Sequence, residues 1–412
     1  MKRPPALEAR LLVLVTLALV AFGLVMVYSA TSAPAALART DPMSYLKKQG
    51  IYALLGVVLM MLAARFDYRR LRTLAPPLVL SALFLCLVVL GAGTRVNGAR
   101  RWIAFGPATF QPSELAKIAL AIWAAAYLAK RPAPRTLKDL WRPIGILVGL
   151  FCLLVLAEPD LGTAIAIVVV VGAILLISGT PGTTLSMGTG IVVALGLVAI
   201  WFEPYRRARV FSFLDPWKDA QGAGFQTVQA LISLGSGGVF GAGLGQGVVK
   251  INYLPEAHTD MILAVVGEEL GLVGVTAVVV AFAAFAYAGL RIALRCKDPF
   301  GKRLAVGLVA LVCGQAVINL AAVLGLAPLT GIPLPFISYG GSSLVVALLS
   351  VGILLNIAGS DAGAARASVP NRGGRDRRSR PAGARRGGSA RRARRPRDVR
   401  RVAGSHRGSA RS

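Results

Sequence analysis

The chain has 412 residues, of which 55% are hydrophobic and only 16% charged. That balance excludes an ordinary soluble fold and points to a membrane protein, because the apolar residues gather in runs near the ~20 residues that cross a ~30 Å hydrocarbon core. The formal charge of +28 invites a nucleic-acid reading, but 17 Arg against 3 Asp lie between Gly359 and Ser412, so half of the excess sits in one terminal tail.

Apolar runs follow at Leu11 to Ala30, Gln49 to Ala64, Leu74 to Gly91, Leu115 to Ala129, Ile144 to Ala157, Leu161 to Ile177, Ile191 to Phe202, Met261 to Leu290, Leu304 to Leu326 and Ser342 to Ala358. The first follows Lys2, Arg3 and Arg10; it is long for a signal-peptide core and has no clear A-x-A exit, so a retained helix is expected. The runs starting at Leu115, Ile144 and Ile191 are short enough for a reentrant or tilted segment. The expected fold is all-α and polytopic, with about ten transmembrane helices and a long extracytoplasmic loop between helices 7 and 8. Residues 1–358 form the transmembrane body, and the Arg-rich tail 359–412, which has almost no large apolar side chains, is expected to be disordered.

Orientation follows from where basic residues collect in short connections. Arg65, Arg69, Arg70 and Arg72 follow the second run; Lys130, Arg131, Arg135, Lys138 and Arg142 the fourth; Arg291, Arg295, Lys297, Lys302 and Arg303 the eighth. With ten spans these clusters and the tail share one side, which places both termini in the cytoplasm. Beside an anionic leaflet the tail is expected to attract lipid headgroups at ~1 kcal/mol per basic residue close to the surface; a cytoplasmic protein partner is second and nucleic acid is not expected. Cys86, Cys152 and Cys313 lie in apolar runs and Cys296 in a cytoplasmic loop, so neither a disulfide nor a metal-thiolate site is expected.

The opposite side receives Gly93 to Pro112, the turn at Glu158 to Asp160, Glu203 to Asp260, and Ala327 to Gly341. The third segment is long, but Phe211, Phe213, Trp217, Phe225 and Tyr253 argue for order, and an amphipathic helix is expected near Phe225 to Leu234. Gly235 to Gly247 lacks a phosphate-loop spacing and follows no strand, so a hinge or close backbone packing is preferred to nucleotide binding. Polar groups at membrane depth are costly, at least ~2.5 kcal/mol for an ionised side chain, and so mark function or tight pairs. They cluster in Arg101-Trp102-Ile103 with Gln111 to Glu114 and Lys117, in Glu158 to Thr163, in Tyr253 to Asp260 with Gly267-Glu268-Glu269-Leu270, and in Pro333 to Ser343.

Through these four segments the chain resembles the SEDS family (shape, elongation, division and sporulation), membrane glycosyltransferases that polymerise peptidoglycan from lipid II. The resemblance runs from about Leu11 to Ala358. Tyr253 to Asp260 with Gly267-Glu268-Glu269, and Arg209 to Trp217, are closer to its division branch than to its elongation branch. It implies an essential aspartate in the long extracytoplasmic loop, here Asp260, and a bitopic class B penicillin-binding protein as partner, together with other division proteins at the septum of a bacterial cytoplasmic membrane.

Chemically, the C4 hydroxyl of one sugar must attack the anomeric carbon of another as a polyprenyl diphosphate leaves. A carboxylate in reach can take the hydroxyl proton, typically worth ~10²–10⁴ in rate. The leaving diphosphate needs positive charge or a divalent ion such as Mg or Mn; candidates are Arg101, Lys117, Arg206, Arg207, Arg209, Lys250 and His258, with Glu114 beside Lys117 and Ser342 at a helix entrance that can receive an anion. Each has a plainer reading. Asp260 can cap a helix, Glu114 and Lys117 can neutralise one another at i, i+3, His258 can be a hydrogen-bonding loop residue, and Gly340 to Ser343 can be a turn and cap. Glu269 is expected in an internal polar network, while Glu268 stays open. Competing functions are a lipid II flippase, an elongation-type polymerase, and a noncatalytic division scaffold.

Overall fold

A computed structural model describes residues 7–37, 41–96, 99–106, 108–250 and 257–367; the segment Tyr253 to Glu256 and the tail from Ser368 onward lie outside the described residues. The helices are α1 (Leu7–Leu37), α2 (Ser44–Arg65), α3 (Leu71–Ala92), α4 (Pro112–Lys130), a one-turn α5 (Leu137–Leu140) leading into α6 (Ile146–Ala157), α7 (Leu161–Ile177), α8 (Gly182–Trp201), α9 (Pro204–Leu214), α10 (Phe225–Ser236), α11 (Ile262–Arg295), α12 (Pro299–Val323) and α13 (Gly341–Ala367). Eight described helices are long and apolar enough to cross a membrane. With α4, of 19 residues, and α7, of 17, they make up the ten expected spans.

Two of the three short apolar runs sit inside longer helices: the run at Leu115 in α4 and the run at Ile191 in the 20-residue α8. Backbone hydrogen bonding there continues through flanking Ser, Thr, Gly and charged residues, which a hydropathy boundary leaves out. The run at Ile144 starts instead just after a break, because Arg142, before Pro143, has a non-helical backbone between α5 and α6. Three features were not foreseen. Residues 94–110 carry a small antiparallel sheet, β1 (Thr94–Val96), β2 (Ala99–Phe105) and β3 (Ala108–Phe110), in the order β1-β2-β3. An extra short helix, α9, precedes the expected amphipathic one, and α13 continues past Ala358 to Ala367.

Small residues set the packing, as expected where lipid offers no hydrophobic drive between helices. A Cβ on Gly56 of α2 would meet the Leu348 side chain of α13, and one on Gly352 of α13 would meet the Met60 carbonyl of α2, so the two glycines let this pair lie close along its length. Gly289 of α11 receives Val309 of α12, and Gly307 of α12 receives Ile174 of α7. The centre of the bundle is α4, α12 and α13. Around α4 the alanines at 116, 119, 121, 124 and 125 are fully buried, consistent with a helix enclosed on nearly every side. By contrast α8 exposes Val193, Leu195, Leu197, Val198 and Trp201 and lies at the edge.

One end of the bundle holds the basic connections. There Arg295 pairs with Glu8 at 2.6 Å, Asp298 caps α12 and accepts from the Tyr68 hydroxyl at 3.0 Å, Asn356 accepts from the Tyr68 amide, and Arg303 donates to Ser178. These contacts tie the α2–α3, α7–α8 and α11–α12 connections to the ends of α1 and α13. The four polar segments singled out in the sequence lie at the other end.

Candidate active site

Asp260 occupies the turn formed by residues 257–261, directly before α11 begins at Ile262. It is half-buried, and its Oδ1 accepts from the Thr259 hydroxyl at 3.2 Å. The turn is pinned on both sides of the carboxylate. Before it, the His258 carbonyl accepts from the Tyr339 amide at 2.9 Å. At Asp260 itself, the backbone carbonyl accepts from the Asn319 Nδ2 at 2.7 Å, and that nitrogen donates again to the Ile332 carbonyl at 2.8 Å.

The strap 327–340, which supplies Ile332 and Tyr339, is packed into the bundle: Leu334, Phe336 and Ile337 are buried. Glycines of two helices make room for its backbone. A Cβ on Gly23 of α1 would lie 2.5 Å from the Phe336 carbonyl, and one on Gly162 of α7 would lie 2.9 Å from the Thr330 carbonyl. Side chains then satisfy its polar groups: Arg209 of α9 donates to the Leu329 carbonyl at 3.1 Å, Gln49 of α2 to the Ser338 carbonyl at 3.1 Å, and Ser338 accepts from the Leu334 amide. Gly331 has φ +74°, a conformation that favours glycine, and a Cβ placed there would stand 4.0 Å from Asp260 Oδ2. The strap therefore forms a wall beside the carboxylate.

The remaining polar segments join the same rim. Arg101 on β2 donates through Nε to the Glu158 carbonyl at 2.8 Å and through Nη2 to the Pro159 carbonyl. Asp160 caps α7 through Thr163 and also accepts from Gln111 Nε2 at 3.2 Å. Ser342 accepts from the Gln111 amide and donates to the Thr109 carbonyl, whose own amide donates to the Tyr52 hydroxyl. Thus β2, the start of α4, the α6–α7 turn and the start of α13 are one hydrogen-bonded belt. His258 stands among aromatics, its ring 4.7 Å from Tyr45 and 5.5 Å from Tyr339.

Two expected substrate-binding cations have internal partners instead. Lys117 pairs with Glu114 at 2.7 Å, both nearly inaccessible. Lys250 is buried with Glu269 at 2.6 Å, and its Nζ also reaches Ser29 and the Gly245 carbonyl. Glu269 accepts from Ser29 on both oxygens, so it does sit in an internal network. Glu268 accepts from the amides of Val248 and Val249, which holds the glycine segment. Arg209 reaches the strap that walls Asp260 rather than open solvent, and the Arg206 side chain lies outside what is described. Among the described residues, no three His, Cys, Asp or Glu side chains converge as a metal site. The residues that sequence reasoning missed are Asn319, Gln49 and Ser29. What they share is a partner far along the chain: Asp260 and Ile332 for Asn319, Ser338 for Gln49, and Glu269 for Ser29.

A family model described as "Cell cycle protein", which covers FtsW, RodA and SpoVE, matches residues 9–362. A relative named "Probable peptidoglycan glycosyltransferase FtsW" from Geobacter sulfurreducens is 44% identical over 350 residues, covering 84% of this chain and 94% of that protein. Stage V sporulation protein E of Bacillus subtilis is 39% identical over 354 residues, covering 84% and 96%. Among solved structures, the chain is similar to one titled as a peptidoglycan synthase complex that coordinates polymerization and crosslinking, with TM-score 0.71, 34% identity, and 84% and 96% coverage. The crystal structure of Thermus thermophilus rod shape determining protein RodA gives TM-score 0.63 at 31% identity, with 84% and 95% coverage. A family match across nearly all of the bundle, with relatives that align over almost their whole length, settles the affiliation: this chain belongs to the FtsW/RodA/SpoVE family of polytopic membrane proteins.

Proposed function

We propose that the protein is a peptidoglycan glycosyltransferase that joins lipid II units into glycan at the outer face of a bacterial cytoplasmic membrane, serving the septal wall in division. Family membership and the names of its relatives support the activity. The single observation that carries the mechanism is the turn 257–261, which holds Asp260 at the polar rim of the bundle with its backbone pinned on both sides.

In this reading Asp260 is the general base. The acceptor's C4 hydroxyl attacks the donor's anomeric carbon; as the new C–O bond forms, the hydroxyl proton passes to the carboxylate. The bond to the diphosphate breaks, and that group leaves with the electron pair. A fixed carboxylate lowers the cost of removing this proton, because no reorganisation is needed when the transition state forms. His258, on the same turn, is the candidate to meet the leaving diphosphate, and a divalent ion, were one bound at this rim, would supply balancing charge.

Positive residues favour the cytoplasmic side, so the basic end of the bundle faces inward and the Asp260 rim outward. A class B penicillin-binding protein is the proposed partner, in keeping with the relative solved within a synthase complex. The test is reconstitution of the full chain with lipid II. Asp260→Asn is expected to fold normally and to lose about 10²–10⁴-fold in polymerisation rate. Glycan made at the native rate would remove Asp260 as the base. Lipid II moved across a bilayer without polymerisation would favour the flippase reading.

A further inference from the structure

Asn319 lies on α12, is 2% exposed, and carries no charge or reactive atom, yet its amide nitrogen donates to the Asp260 backbone carbonyl at 2.7 Å. That one nitrogen bridges two carbonyls from different segments, Asp260 of the turn and Ile332 of the strap. Both partners are acceptors, so the amide must present its nitrogen here, and the orientation is fixed by chemistry. The Asn319 Oδ1 on the far side is buried without a partner. A buried amide that leaves its own oxygen unsatisfied while its nitrogen serves two loops costs more than a leucine in the same space, and stability alone does not call for it.

Tyr339 fixes the turn at His258, two residues earlier, and Asn319 fixes it at the Asp260 carbonyl. The strap is itself immobilised by Gly23, Gly162, Arg209 and Gln49, so a bond from the strap's Ile332 through Asn319 refers Asp260 to a rigid frame. We infer that Asn319 is a positioning residue for the glycosyl transfer, setting the direction in which the Asp260 carboxylate projects from the rim. The inference rests on the reading of Asp260 as the base.

The test compares Asn319→Ala and Asn319→Asp in the purified full chain, with lipid II polymerisation read as kcat and KM separately, alone and in the Asp260→Asn background. A misplacement of about 1 Å can cost 10²-fold, so kcat is expected to fall about 10- to 100-fold with KM nearly unchanged. In the Asp260→Asn background the same substitutions are expected to cause no further loss, since there is no base left to aim. Asn319→Asp fills the same space but turns the bridging donor into an acceptor against the Asp260 and Ile332 carbonyls, so it breaks the bridge without opening a cavity and decides the matter if Asn319→Ala fails to purify. Native kcat in the aspartate variant, a change confined to KM, or losses that multiply with Asp260→Asn would overturn the inference. If Asp260→Asn alone is fully active, the assignment of the base fails, and that outcome is read independently of the Asn319 variants.

Discussion

Both carboxylate oxygens of Glu158 are buried in the turn between α6 and α7 with no hydrogen-bond partner, while Arg101 beside them directs its donors to backbone carbonyls. Burial pushes this carboxyl up to about 8 from its ordinary 4.5; the neighbouring Asp160 adds to the rise and Arg101 opposes it. The folded protein therefore keeps a proton that the unfolded chain releases near 4.5. Between about 4.5 and 8 the native state binds more protons than the unfolded state, so stability falls as pH rises through that window and is lowest above it. Glu158→Gln should coincide with the native protein at the acid end and exceed it above about pH 8, measured as thermal midpoint in detergent. Parallel curves for the two proteins would show that Glu158 is not the group responsible. Of the candidate residues, those inside dense polar segments, such as Arg101, Asp260 and Ser342, could be singled out from the sequence because type and spacing are visible in a single chain. Asn319 and Ser29 were not, because an isolated amide or hydroxyl in an apolar run acquires its meaning from a partner 59 or 221 residues away.

At the scale of elements, α11 shows how a glycine run becomes structure. Gly271 interrupts the helix at φ +65°, and the groups freed by the break are taken up by the glycine segment. The amides of Leu272 and Val273 donate to the carbonyls of Gly238 and Val239, and the carbonyls of Glu268 and Glu269 accept from the amides of Ala242 and Gly243. Broken helices survive at membrane depth only when their backbone groups are re-paired in this way. Close approach needs glycine on both sides: a Cβ on Gly241 would strike the Glu269 carbonyl, and one on Gly271 would lie 2.5 Å from the Gly241 amide nitrogen. Of the two expectations for this run, close backbone packing describes it. The Lys250–Glu269–Ser29 cluster closes the same element onto α1. Lys250→Met leaves Glu269 buried without its countercharge and should lower stability by about 3–5 kcal/mol, whereas pairing it with Glu269→Leu should recover most of that loss. Denaturant or thermal unfolding of the three proteins measures the difference, and equal losses in single and double variants would mean that packing, not charge, holds the element.

For the whole molecule, the bundle has two chemically different ends, one basic and tied by Glu8, Asp298 and Asn356, the other carrying the belt around Asp260. The proposed tail, read from 359, begins within the described α13, which runs to Ala367, and its Arg-rich remainder lies outside the described residues. Its composition supports a role at the membrane surface rather than in the reaction. Removing the residues from Val369 onward should leave lipid II polymerisation by purified protein within about twofold of native, while the isolated tail peptide should bind anionic vesicles more strongly than neutral ones; a collapse of polymerisation would place the tail in the enzyme.

What the sequence determined by itself was the apolar helices of the bundle and the identity of the polar segments, because hydrophobic length and unusual polar clusters are local properties that any lipid bilayer reads in the same way. Only the tertiary structure decided which cations are already neutralised within the bundle, where the glycine run lies, and how Asp260 is held. Those depend on contacts between segments far apart in the chain, where a pair of carbonyls meeting one buried amide leaves no trace in either segment alone.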